Sequence, residues 1–293
     1  MTTLWATNSQ TDMVANLDNG ITLTNISSEP ATPASWTGRI YTKSISWKTV
    51  PKFKWPSWLS FPLQTALWQN NITMRNPTTV TAWVWLWTAG AWAGTYSTAL
   101  PTNTNLYTSI KRARWANVVT TTNQVLGQRN TEAMYFRWDT TSGAWWFFFY
   151  TRCGFDVWTN WGRFFAGMHS GTTVISTDPS ALNNTVWFCV DAADNGAISF
   201  LTRGTSATKA STGYTITSNR WYDLYIFCAP WSSEYSWRIV DIVAWTEASG
   251  TATANLPTNS TKLTAWVLAS NAALTTVTAI QLWVNKIYIE TDY

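Results

Sequence analysis

At 293 residues the chain is long enough for one large β domain or two ordinary ones. Charged residues make up only 12%, and the net charge of +4 comes from 19 basic and 15 acidic residues scattered along the chain. A face dense in Lys and Arg is therefore missing, which excludes a strong nucleic-acid footprint.

In chain order, the N-terminus (MTTLWATNSQTDM) has no basic start leading into an apolar stretch, so no secretory signal is expected. The longest apolar run, 144–150, is far short of the roughly 18 residues of a membrane span. The expectation is a soluble protein made in a cytoplasm, without membrane insertion. Residues 1–75 differ from the rest. Arg39, Lys43, Lys48, Lys52 and Lys54, together with five of the ten prolines, fall between Pro30 and Pro62. Proline removes ladder donors and breaks helices, so 1–75 reads as an extended N-terminal connector that wraps against a neighbour.

From residue 76 to 293 short β runs alternate with Thr, Ser, Asn, Gly or Pro clusters at the spacing of a sandwich or barrel. Strands are expected at 81–87, 133–139, 144–153, 186–190, 198–202, 221–229, 236–242 and 281–290. In 221–229, Tyr222, Leu224, Ile226 and Cys228 share one face, and Asp223, Tyr225 and Phe227 the other. Both faces are largely apolar, which suits a central strand covered on each side or lying at an interface. Helical periodicity is nearly absent. The fold class that follows is all-β: two packed antiparallel sheets, with under a tenth of the residues helical. Strands apolar on both faces, joined to a connector that cannot bury its own apolar residues, also predict a homo-oligomer. Cys153, Cys189 and Cys228 are odd in number and each lies in an apolar run, so they read as reduced core residues.

Twenty-three tryptophans against 14 glycines is the oddest feature of the composition. Many sit where glycine is usual, among Gly, Ser, Asn and Pro, as in KWPSW, SGAWW and TNWGRF. Three readings compete: platforms for sugar rings, core packing, or a reassigned stop codon that means Gly in its host and has been read as Trp. On the glycine reading Trp55, Trp58, Trp145, Trp146, Trp161 and Trp187 belong at turns, at positive φ or crowded against backbone. Core tryptophans belong in strands, buried, with the indole N–H bonded. Sugar platforms would set several exposed indoles side by side on one loop surface. Trp115 and Trp237 read as ordinary strand residues in every case.

Reactive chemistry is sparse. His169 is the single histidine, which excludes a site of two or more histidines, and its setting between RFFAGM and SGTT predicts a turn. There is no nucleotide loop and no HExxH pattern. Asp191 and Asp194 in CVDAADNG read as turn residues rather than a Ca²⁺ site or a hydrolytic pair, because this segment alone lacks the six or more oxygens that Ca²⁺ takes. SIKRARWANVV, with Lys111, Arg112 and Arg114, reads as one exposed strand face with Lys111 outward and the alternating residues inward; anionic polymer such as lipopolysaccharide phosphate is the other reading. No catalytic residue, metal ligand or cofactor is nominated, and no ligand-binding residue can be named.

Several blocks together resemble a widespread family of phage tail-fibre or virion structural proteins. They are VPKFKWPSWLSFPLQ (50–64), WWFFFYTRCGFD (145–156), RFFAGM (163–168), DPSALNNTVWFCVDAAD (178–194), YDLYIFCAPWSSEYSWRIV (222–240) and YIETDY (288–293). The likeness covers about 30–293 with the order of blocks kept. In the family pattern Trp55, Trp58, Trp145, Trp146 and Trp187 would be glycines. The resemblance implies a lectin-like, concanavalin-type jelly-roll sandwich displayed on a virion, commonly as an oligomer such as a trimer. It implies non-catalytic host attachment through a bacterial cell-surface glycan or lipopolysaccharide, beside other virion proteins, after assembly in the host cytoplasm. A purely structural virion protein and a capsule depolymerase are the alternatives.

Overall fold

In the computed structural model the described residues are 30–31, 39–45, 48–54, 60–62, 71–76, 83–86, 95–116, 124–137, 146–173, 175, 177–228, 233–271 and 279–291. The chain divides into two compact units, Met1–Ala66 and Leu67–Tyr293. In the first, β1 (Arg39–Ile45), β2 (Lys48–Lys54) and β3 (Ser60–Pro62) form a three-stranded antiparallel sheet. A stretch expected to be wholly extended thus contains local pairing, with Pro51 opposite Thr42 and Pro62 opposite Lys52.

The second unit is an antiparallel β-sandwich, the fold class that the short β runs predicted. Its strands are β4 (Asn71–Arg75), β5 (Trp83–Leu86), β6 (Thr95–Ala99), β7 (Arg112–Ala116), β8 (Val125–Asn130), β9 (Phe147–Val157), β10 (Arg163–His169), β11 (Thr185–Val190) and β12 (Ala197–Arg203). They continue as β13 (Ala207–Thr215), β14 (Arg220–Cys228), β15 (Tyr235–Asp241), β16 (Thr246–Ala252), β17 (Thr264–Ser270) and β18 (Gln281–Thr291). One sheet has the order β13-β12-β11-β10-β17-β8-β5. The other runs β16-β15-β14-β9-β18-β7-β6, with β4 also on β18. The only helical pieces among the described residues are two 3₁₀ turns, Pro179–Ala181 and Ala192–Asp194.

The unit boundary falls at Ala66 rather than after residue 75, because β4 joins the sandwich by pairing with the last strand: Arg75 lies opposite Ile287 and Asn71 opposite Thr291. The strand expected at 133–139 is absent over 133–137, which contributes one bridge, Tyr135 to Leu263. Its ladder positions are already taken, since β17 is flanked by β10 and β8.

Inward-facing side chains follow the two-residue period. Phe147, Phe149, Cys153 and Phe155 of β9 meet Phe164, Ala166 and Met168 of β10 and Phe188 of β11 in one core. Trp237 stacks on Phe200 (centroids 5.6 Å apart, 22° between planes) and meets Phe188 edge-on. Trp115 and Trp237 are both buried in strands, as expected of ordinary strand residues. The three cysteines are free and buried, and burial holds each thiol's pKa up.

On the outer faces, two indoles lean over a strand glycine in each sheet. Trp187 and Trp266 flank Gly167, while Trp221 and Trp283 flank Gly154. A Cβ on Gly154 would stand 2.1 Å from the Arg220 carbonyl oxygen, and one on Gly167 2.6 Å from Trp187 Cβ. The bare backbone between the indoles leaves room that a side chain would fill.

Candidate functional site

The outer face of the eight-stranded sheet carries aromatic, hydroxyl and charged side chains side by side. It is built by register. Arg238, Tyr225, Tyr150, Tyr288 and Met74 form one row across β15, β14, β9, β18 and β4. Ser236, Phe227, Phe148, Glu290 and Ile72 form the next row toward one end, and Val240, Asp223, Arg152 and Lys286 the row toward the other. These are the positions that alternate with the core residues, so each strand supplies every second side chain. Phe148, Tyr225, Phe227 and Tyr288 are part-exposed, while Tyr150 and Asp223 are buried beneath them.

The rings form a continuous array. Tyr150 and Tyr225 stack with centroids 4.8 Å apart, and Phe148 lies 6.2 Å from Tyr225 and 6.1 Å from Tyr288. Asp223 holds the array together. Its Oδ1 accepts from Arg152 Nε at 2.6 Å and from the Tyr150 hydroxyl at 3.0 Å, and its Oδ2 accepts from Arg152 Nη2 at 2.7 Å and the Tyr225 hydroxyl at 3.4 Å. Burial first, then the Asp223 charge, raises the pKa of both phenols. Both remain protonated donors across the working pH range. At the edges, Arg238 pairs with Glu247 and the Tyr288 hydroxyl donates to Glu290 at 2.6 Å.

Residues 101–110 close one end of this face. Tyr107 lies against Trp221 (centroids 5.2 Å apart), takes the Trp221 indole N–H on its carbonyl at 2.9 Å and donates its hydroxyl to Asp156 at 2.6 Å. Arg112, which alternates with the outward Lys111, is buried. Its guanidinium lies 4.3 Å over Trp283 and donates to the Ile110 carbonyl at 3.2 Å. Arg114 also faces the Trp283 ring, at 5.7 Å. The basic cluster therefore fastens the closing loop and stacks on Trp283, and it does not form a patch for anionic polymer.

Glu247 lies two strands from Asp223 in the same row and is held by Arg238, whereas Asp223 is opposite Arg152 and Glu290 opposite Phe148, with β9 between their strands. Four residues along and two strands across is roughly 16 Å. Glycosidase carboxylates stand about 5 to 9.5 Å apart.

His169 ends β10, 8% exposed, and is not in the turn that SGTT suggested. The apolar run carries the strand one residue further, setting the ring between Trp187 and Trp266, with centroids at 5.4 and 6.0 Å. Burial holds its pKa down to about 4, against backbone hydrogen bonding at Asn184 and Asn183. The unfolded chain, with a pKa near 6.5, then binds more protons than the fold between pH ~6.5 and ~4, so stability falls as pH drops through that window. The loss expected by pH 4.5 is about 2 to 3 kcal/mol. Urea midpoints at pH 7 and 4.5 check it: the wild type should lose more than His169→Gln, and equal losses would refute the assignment.

Asp191 and Asp194 lie in the connection from β11 to β12, as a capped 3₁₀ turn that ends on Asn195 with φ 52°. Lys209 reaches both, at 2.9 and 2.5 Å. A lysine ammonium occupies the position a cation would take, and no group of three or more His, Cys, Asp or Glu among the described residues is placed to hold a metal ion.

The tryptophans divide. Trp161 (φ 70°) and Trp245 (φ 57°) are in the left-handed region, and every other non-glycine residue with positive φ among those described is asparagine: Asn184, Asn195, Asn219 and Asn255. Trp161 is third in the turn closed by Gly162 N–H to the Thr159 carbonyl at 3.1 Å, a type II position that favours glycine. Trp187 departs from the glycine expectation: it is fully buried in the middle of β11. Trp146 is buried just ahead of β9, edge-on to Phe227. Trp55, Trp58 and Trp145 lie outside the described residues. Among the described residues the exposed indoles are not grouped: Trp161 and Trp245 sit in separate turns, and the aromatic array is made of Tyr and Phe. The expected N–H partners are also missing in part. Trp187, Trp237, Trp266 and Trp283 bury theirs without one.

The chain matches no family model and no curated protein sequence. Among solved structures it is similar to a protein of unknown function from Shewanella oneidensis, at 12% identity and TM-score 0.51 over 76% of this chain and 86% of that one. It is also similar to arcelin-5, a lectin-like defence protein of Phaseolus vulgaris, at 9% identity and TM-score 0.52 over 76% and 98%. The sandwich is thus of the concanavalin-like lectin type.

Proposed function

We propose that this chain is a non-catalytic glycan-binding module of a bacteriophage virion, the host-attachment part of a tail fibre or similar appendage. The observation that carries the binding half is the part-exposed array of Phe148, Tyr225, Tyr288 and Phe227, interleaved with the Arg152–Asp223 ion pair. Apolar ring faces suit the C–H faces of sugars, and fixed charges and hydroxyls beside them suit sugar hydroxyls. The lectin-like description of arcelin-5 supports the same reading. The ordered sequence blocks shared with tail-fibre proteins support the virion half, including assembly in a bacterial cytoplasm beside other virion proteins. The partner is a bacterial cell-surface glycan or lipopolysaccharide, and the working unit is a homo-oligomer, a trimer on the family pattern.

Incubation of the purified protein with host surface polysaccharide tests this. Retention without release of reducing ends is expected, with affinity falling about tenfold or more in Tyr225→Ala, since one aromatic contact is worth on the order of 1 to 2 kcal/mol. Release of reducing ends would mark a depolymerase, and no retention a purely structural protein. Light scattering should give an oligomer; a stable folded monomer at micromolar concentration would count against the assembly.

A further inference from the structure

Two of the cations on the aromatic face are paired with carboxylates. Arg152 is held by Asp223 and Arg238 by Glu247. Lys286, in the row with Arg152, has no carboxylate within ion-pair distance among the described residues, and its ammonium lies 5.1 Å from the Tyr150 ring centroid. The side chain is half-buried, so it is fixed against the array rather than trailing in solvent. Glu290 stands four residues further along β18, about 13 Å away, too far to compensate it. The array therefore has a cationic end at Lys286.

We infer that the ligand of this face is an acidic glycan, whose anionic substituent, a uronate carboxylate or a phosphate, pairs with Lys286 while the sugar rings lie on Tyr225, Tyr288 and Phe148. This rests on the glycan-binding reading above and adds the charge of the ligand to it. A half-buried ammonium beside a low-dielectric ring face gains more from an anion than an exposed lysine does, because screening is weaker there. A neutral sugar would leave that gain unused.

The test is an array of bacterial polysaccharides in three sets: neutral, uronate-bearing with carboxyl-reduced counterparts, and phosphate-bearing with dephosphorylated counterparts. Wild-type protein should prefer a charged set over its stripped counterpart by about tenfold or more, a preference that weakens with added salt, and the set that responds tells carboxylate from phosphate. Lys286→Gln, shown folded by circular dichroism, should lose the preference and keep the affinity for stripped glycan, whereas Tyr225→Ala should lower both. Equal binding of charged and stripped glycans, or an unchanged preference in Lys286→Gln, overturns the inference and leaves glycan binding intact. Retention of no polysaccharide at all overturns the glycan reading and the inference with it.

Discussion

Exchanging Trp161 and Trp245 for glycine is expected to raise the stability of the fold, while the same exchange at Trp115 or Trp187 is expected to abolish it. The left-handed conformation costs an ordinary L-residue about 1 to 2 kcal/mol, part of which is offset by the greater freedom glycine has when unfolded. Trp161 is 52% exposed and Trp245 80%, so removing the indole loses little burial. A net gain of about 1 kcal/mol per site follows, or roughly 2 to 4 °C in Tm for each. At Trp115 and Trp187, both 0% exposed, the loss of transfer energy and the cavity left behind come to about 4 to 6 kcal/mol with glycine's strand penalty added. That is comparable to the whole stability of many domains. Thermal denaturation of the four variants decides it: a lower Tm in Trp161→Gly and Trp245→Gly would remove the glycine reading at those turns. On that reading the gene carries TGA at 161 and 245 and TGG at 115 and 237.

Asp223→Ala is expected to destabilise the sandwich by about 3 kcal/mol. The carboxylate side chain is 6% exposed and Arg152 25% exposed, so its loss strands a half-buried guanidinium together with the hydroxyls of Tyr150 and Tyr225. Asp223→Asn keeps two polar atoms in place and should cost clearly less. Urea denaturation checks both variants, and a shift under about 0.5 kcal/mol for Asp223→Ala would show that the ion pair is not what anchors the array. The glycan affinity of Asp223→Asn should fall too, since the stacked tyrosines lose their common acceptor.

Local pattern in the chain was enough for the fold class and for which residues of a strand share a face. The alternation of Tyr222, Leu224, Ile226 and Cys228 with Asp223, Tyr225 and Phe227 is a property of β geometry alone, and the former set is the one buried in the core. It was also enough to place Trp115, Trp237 and the cysteines inside. Register was not legible. That Tyr225 lies between Arg238 and Tyr150, with Tyr288 beyond, depends on pairing among strands far apart in sequence, and a one-residue slip would dissolve the row. The same holds for β4 on β18, and for Arg112, whose cover, Trp283, comes from the last strand. His169 was misplaced, and the glycine reading of Trp187 failed although its strand was expected at 186–190, for one shared reason. Their neighbours in sequence resemble turns or glycine sites, but two strands bring Trp187, Trp266 and His169 together around Gly167, and burial there outweighs the local preference.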